Sequence, residues 1–277
     1  VVAGGVLDGH GGAEVSKFAA DSISRVIKSR LGQSYSTESG DDFTPPSLYS
    51  VSAVEILREV ERLVQLKMSS DTTCSCGSTS TLVTVTENDI HVAWLGDSTA
   101  ILCQARKGEM DNRSSLSTND VVVSELTTSH IPEEESERTR VEDYGGTVGR
   151  TMRMMDDGCE YPSGPFRVYT SFRTGGLAVA RALGDTAMRP YISGVPSSRI
   201  YARTERDLFL VIATDGVWDV LSAEEVSDIV LSPTSENRRN LHNAEESAAK
   251  IIDEALSRGS QDNVSAVVIM LSKFFSQ

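Results

Sequence analysis

Residues 208–219 read Leu-Phe-Leu-Val-Ile-Ala-Thr-Asp-Gly-Val-Trp-Asp, an apolar run that stops at Thr214-Asp215-Gly216. A run this short, ended by an Asp-Gly turn dipeptide, is the signature of a buried strand, Leu208 to Ala213, running into a tight turn. Downstream, Ser222 with Glu225 and Asn243 with Glu246 carry the spacing that caps helices. Asp262-Asn263 then precede a last apolar strand, Val264 to Leu271.

Upstream, Ser80 to Thr86 sets Leu82, Val83 and Val85 among threonines, and Asn88-Asp89 marks a turn. Ile90 to Leu95, Thr99 to Gln104 and Val121 to Leu126 are further strands. At the start, Val1 to Leu7 reads as a strand entering Asp8-Gly9-His10-Gly11-Gly12, not as a leader peptide. Helical spacing of Val15, Phe18, Ala19, Ile23, Val26, Ile27 and Leu31 predicts a helix over 13–31 that Gly32 stops. A second helix starts at Ser52, with Glu55 completing a capping box, and a third opens at Pro132 and ends near Gly145-Gly146. Residues 33–50 read as a loop, and 147–176, with Gly, Pro and several Met, as an irregular surface insertion or flap. With no repeat and no linker, strands in hairpin order with helices at intervals predict a single α+β domain, residues 1–277, built on antiparallel sheets.

The chain has 277 residues, enough for a sizeable core, and no apolar run long enough to span a bilayer. Its net charge of −14 opposes nucleic acid and anionic membranes and favours cations. The same balance fits a solvated acidic surface. Four cysteines imply no disulfide framework, and Cys74-x-Cys76 lacks the second ligand pair that zinc requires. A cytoplasmic or nuclear setting is the default, since no targeting segment can be read.

Asp8, Asp215 and Asp262 each occupy a turn beside an apolar strand. An Asp in such a turn is ordinary by itself. Three of them, if their strands are neighbours, converge, and converging carboxylates repel unless protonated or bound to a cation. Their hard oxygens favour Mg²⁺ or Mn²⁺ over zinc. Gly9 lets the backbone come close enough for its carbonyl to join the ligands, and His10 stands at the edge as a candidate proton donor or as a plain surface histidine.

Asp8-Gly9-His10-Gly11-Gly12, Gly77-Ser78-Thr79, Gly96-Asp97-Ser98, Leu177 to Asp185, Ala213 to Asp219 and Asp262-Asn263 occur in that order, and the series resembles the protein phosphatase 2C family from residue 1 to about 271. The resemblance implies two packed antiparallel β-sheets flanked by helices on both outer faces, a four-layer α-β-β-α sandwich. It implies hydrolysis of phosphoserine and phosphothreonine on proteins by a metal-bridging water at a binuclear Mn or Mg centre, two metals per domain. Asp8 would bridge both metals, the Gly9 carbonyl would bind one, and Asp215 and Asp262 the other. His10 matches the general acid, and Asp219 a ligand of an additional weak site. Gly77-Ser78-Thr79, Asp97 and the Arg181–Asp185 run match packing and supporting positions. The family's upstream strand, with its acidic pair and phosphate-gripping Arg, has no counterpart in this chain. Where the family has Asp-His-x-Pro, this chain has Ser129-His130-Ile131-Pro132, so a carboxylate of the additional site becomes a hydroxyl, or serves only to cap the helix near Pro132. A phosphoprotein substrate and a monomer are expected, and a phosphatase-like binding protein without activity is the rival reading.

Overall fold

The computed structural model describes residues 1–33, 52–69, 75–107, 118–171, 175–232 and 243–271. In chain order come β1 (Val2–Val6), β2 (Gly9–His10), α1 (Glu14–Gln33), α2 (Ala53–Met68), β3 (Gly77–Ser78), β4 (Ser80–Val85), β5 (Asp89–Leu95) and β6 (Thr99–Ala105). Then follow β7 (Val121–Glu125), α3 (Glu135–Asp143), β8 (Thr147–Met154), β9 (Glu160–Tyr169), β10 (Gly175–Leu177) and β11 (Leu183–Gly184). The chain continues through β12 (Ser197–Ala202), β13 (Asp207–Ala213), α4 (Asp215–Trp218), α5 (Ala223–Leu231), α6 (Ala244–Ser257) and β14 (Ala266–Met270).

The period of two in the strands decides the architecture. In β13, Leu210 and Ile212 join one buried cluster, and Phe209, Val211 and Ala213 another. In β6, Ala100 and Leu102 face the first, Ile101 and Cys103 the second. The first cluster also takes Val83, Val85, Val92 and Trp94 from β4 and β5, so it joins two sheets. These are β1-β4-β5-β12 and β14-β13-β6-β7, antiparallel throughout. On the opposite face of the first sheet, Leu82, Ala93 and Leu95 pack with α1 and α2. On that of the second, β13 and β6 pack with α5 and α6. Strands apolar on both faces are what helical cover requires, and the α+β expectation holds.

Three local expectations are corrected. First, α1 runs on through Gly32 to Gln33, and the rest of the expected loop lies outside the described residues. Second, Ser52 is the N-cap of α2 but makes no side-chain cap, whereas Ser222 and Glu225 form the full reciprocal box on α5. Third, the described part of the 147–176 segment is mostly strand: β8 and β9 pair from Thr147↔Tyr169 to Met154↔Glu160, and β10 adds a third strand. Cys76 is disulfide-bonded, which removes it as a thiolate ligand.

Candidate metal and catalytic site

Asp8 leaves β1 in a turn fixed from the neighbouring chain. Its backbone N–H donates to Thr79 Oγ1 at 3.2 Å, and its carbonyl accepts the Thr79 N–H at 2.8 Å. Thr79 Oγ1 lies 2.8 Å from Ser98 Oγ, which ties the Gly96-Asp97-Ser98 turn to the same place. Gly96, at φ 96°, is needed there, since a Cβ would stand 2.7 Å from the Thr79 side chain. Asp215 opens α4 at the end of β13. Its loop is joined to that of Asp262 by Thr214 Oγ1, which donates to the Asn263 carbonyl at 2.8 Å and accepts the Ser265 N–H at 3.1 Å. Gly216 allows this approach, because a Cβ would lie 2.6 Å from the Asn263 oxygen.

Asp8 and Asp215 are thus brought into contact, with Asp262 close enough for its charge to act on both. Burial, the Asp215 charge and hydrogen bond, and then the charges of Asp262 and Asp97 push the Asp8 carboxyl up to about 7. Burial and the Asp262 and Asp219 charges raise Asp215 against its hydrogen bond with Asp8. Asp97, read from sequence as packing, belongs to the same group: burial, then Asp215 and Asp219, push it up to about 6. Asp219 is exposed at the end of α4, and Gly9 follows Asp8 directly into β2.

These oxygens suit a hard divalent cation. Asp215 Oδ1 is buried and has no hydrogen-bond partner, and the surrounding carboxylates repel one another. Only Asp8 and Asp215 stand in contact, the others acting through their charge, so among the described residues no three His, Cys, Asp or Glu side chains form a closed ligand set.

His10 meets Asp185 through Nε2···Oδ2 at 2.7 Å. Burial disfavours the charged ring, but the hydrogen bond and charge of Asp185 outweigh it, and the His10 pKa lies above its ordinary value. With Nε2–H on the carboxylate, Nδ1 is left to face another group. Three two-residue strands make this pair: β2 carries His10, β3 lies between, and β11 leads into Asp185. Gly77 on β3 leaves the space this pair occupies, because a Cβ there would meet both Asp185 Oδ2 and His10 Nε2 and force one of them to move. Sequence reasoning gave Asp185 a packing role. Its Leu-Gly-Asp context was the available signal, but its partner is 175 positions away.

Ser129 is half-buried and does not cap α3, whose N-cap is Glu134. The adjacent His130 is held down at about 4 by burial and by the Arg181 charge, so it is neutral at pH 7. Its Nδ1 accepts the Gly96 N–H at 3.2 Å, and Nε2 meets Ser197 Oγ at 2.9 Å. His130 is thus a brace for the Asp97 turn.

The family description "Protein phosphatase 2C" matches residues 2–264. Among curated relatives, the chain is 30% identical over 266 residues to "Probable protein phosphatase 2C 45" of Oryza sativa subsp. japonica, across 96% of this chain and 75% of that protein. It is 30% identical to human "Protein phosphatase 1F", across 96% of this chain and 48% of the relative. It spans 55% and 58% of two further rice relatives, so much of the length of several relatives has no counterpart here. Among solved structures, the serine-threonine phosphatase 2C from Toxoplasma gondii superposes with a TM-score of 0.72 at 21% identity, covering 97% of this chain and 84% of that one. With the motif order, the paired sheets and the acidic site in agreement, the chain belongs to the protein phosphatase 2C family, a family of serine/threonine protein phosphatases.

Proposed function

We propose that this chain removes phosphate from phosphoserine and phosphothreonine in proteins, at a site formed by Asp8, Gly9, Asp215 and Asp262 with His10 as general acid. The reading rests above all on one observation: mutually repelling carboxylates, those of Asp8 and Asp215 half-buried, lie next to a histidine that a further carboxylate holds in place.

Asp8, the Gly9 carbonyl, Asp215 and Asp262 would hold two Mn²⁺ or Mg²⁺ ions. When bound, such ions neutralise phosphate charge and acidify water for attack on phosphorus. Asp8 and Asp215 fix the acidic centre, and the Thr79 and Thr214 hydrogen bonds keep their loops from relaxing away under repulsion. Asp185 orients His10 and favours its charged form, leaving Nδ1 to deliver a proton to the departing serine or threonine oxygen. Asp219, with Asp97 near it, offers carboxylate to a weaker additional ion, and Ser129 contributes none. Residues 1–277 act as one catalytic domain, with the β8–β9 hairpin as its flap.

Turnover of a phosphothreonine peptide, with Mn²⁺ and after chelation, tests the reading. Mn²⁺-dependent phosphate release is expected. Binding of the phosphopeptide without release would identify a phosphate-reading binder instead.

A further inference from the structure

Asp185 sits at φ 47°, ψ 42°, a left-handed conformation that an L residue keeps only where its surroundings hold it. The sheet before it supplies little restraint, because β11, β3 and β2 have two residues each. The restraint comes from α2. Glu61 Oε2 accepts the Gly184 N–H at 3.2 Å, and one helical turn on, Gln65 Nε2 donates to the Gly184 carbonyl at 3.3 Å. The residue leading into Asp185 is therefore gripped at both of its backbone groups by two side chains four positions apart on one helix face.

Other contacts lock the grip. Gln65 Nε2 also donates to Glu61 Oε1 at 2.7 Å, and Arg189 Nη2 pairs with the same oxygen at 2.5 Å. Arg189 in turn donates to the Ala182 carbonyl at 3.1 Å and to that of Ile192. The Asp185 N–H donates to the Cys76 carbonyl at 3.1 Å. Gly184, at φ 77°, leaves no room for a side chain, because a Cβ would lie 2.8 Å from the same carbonyl. Gly194 likewise yields the space that Glu61 and Arg189 occupy.

We propose that Glu61 and Gln65 of α2 are positioning residues for the general acid, acting through Gly184 and Asp185 on His10. The proposal rests on the assignment of His10 as proton donor. A positioning residue of this kind matters in proportion to how much the leaving group needs a proton. An alkoxide needs one and an aryl oxide does not.

The test measures kcat and KM with Mn²⁺ on a phosphothreonine peptide and on p-nitrophenyl phosphate. The proteins are wild type, Gln65→Met, Glu61→Ala, His10→Ala and the His10→Ala/Gln65→Met double variant. Gln65→Met keeps the shape of the side chain and removes only the donor, so it stays folded even if Glu61→Ala, which strands Arg189, does not. Gln65→Met should lower kcat on the peptide about 10-fold and on the aryl phosphate less than about 2-fold, with KM unchanged. In the His10→Ala background it should add less than about 2-fold on the peptide, because the route it acts through is gone. Equal losses on the two substrates, or a loss undiminished without His10, would overturn the proposal while leaving His10 as the acid. If His10→Ala itself fails to discriminate between the substrates, the general-acid assignment falls and this proposal with it.

Discussion

At the scale of single residues, the carboxylates oppose the fold when no cation is present. Asp8 has a folded-state pKa of about 7 against an ordinary 3.8. A raised carboxyl pKa means that the folded protein binds the proton more tightly. Its stabilising effect is complete below about 4 and is lost as pH rises through about 7. In chelator-treated protein, Asp8→Asn should therefore raise the melting temperature by a few degrees at pH 8 and change it little at pH 4. A gain that is the same at both pH values would show that Asp8 does not titrate in the way this site requires. His10→Ala should lose at least about 10-fold more rate on a phosphothreonine peptide than on an aryl phosphate, the span general acid catalysis commonly supplies being 10²–10⁴. Equal losses would make His10 structural. Asp8, Asp215 and Asp262 were legible because each occupies a turn beside an apolar strand, a local feature. Asp185 and Asp97 were not, because their roles depend on partners brought from other strands.

At the scale of elements, caps and hairpins separate what a local pattern determines from what packing determines. Ser52 and Ser222 carry the same Ser-x-x-Glu spacing, yet only Ser222 makes the capping box. Glu55 of the first pair is drawn off to Arg30 of α1, at 2.8 Å, so tertiary contact overrides the local preference. Ser222→Ala should cost about 1 kcal/mol of stability, and Ser52→Ala much less. Denaturant unfolding of the two variants measures the difference, and equal costs would remove the distinction. The β8–β9 hairpin escaped sequence reading for a different reason. Its outer half is exposed on both faces, including Met152, Met154 and Tyr161, so no period-two alternation is imposed. At β3 the packing is strict, and Gly77→Ala should separate His10 from Asp185 and lower peptide turnover at least as far as His10→Ala does, whatever its effect on stability. Turnover retained in a folded Gly77→Ala protein would refute that tight fit.

At the scale of the molecule, the alternation in β4 and the apolar stretches of β5, β6 and β13 were readable as strands. The pairing order β14-β13-β6-β7 was not, because it joins segments more than a hundred residues apart. That order brings the Asp215 and Asp262 turns to one end of the second sheet, and Thr79 brings Asp8 to meet them from the first. Two sheets sharing one core hold like charges together that would separate in a looser structure. In the proposed function, this convergence serves to bind divalent cations for phosphate hydrolysis. Calorimetric titration of Mn²⁺ into chelated protein, paired with phosphothreonine-peptide turnover, tests it most directly when wild type is set beside Asp215→Asn and Asp262→Asn. Mn²⁺ binding and turnover are expected in the wild type, with both weakened at least about 100-fold in each folded variant, since a neutral amide replaces an anionic ligand. Wild-type binding and rates in either variant would contradict it.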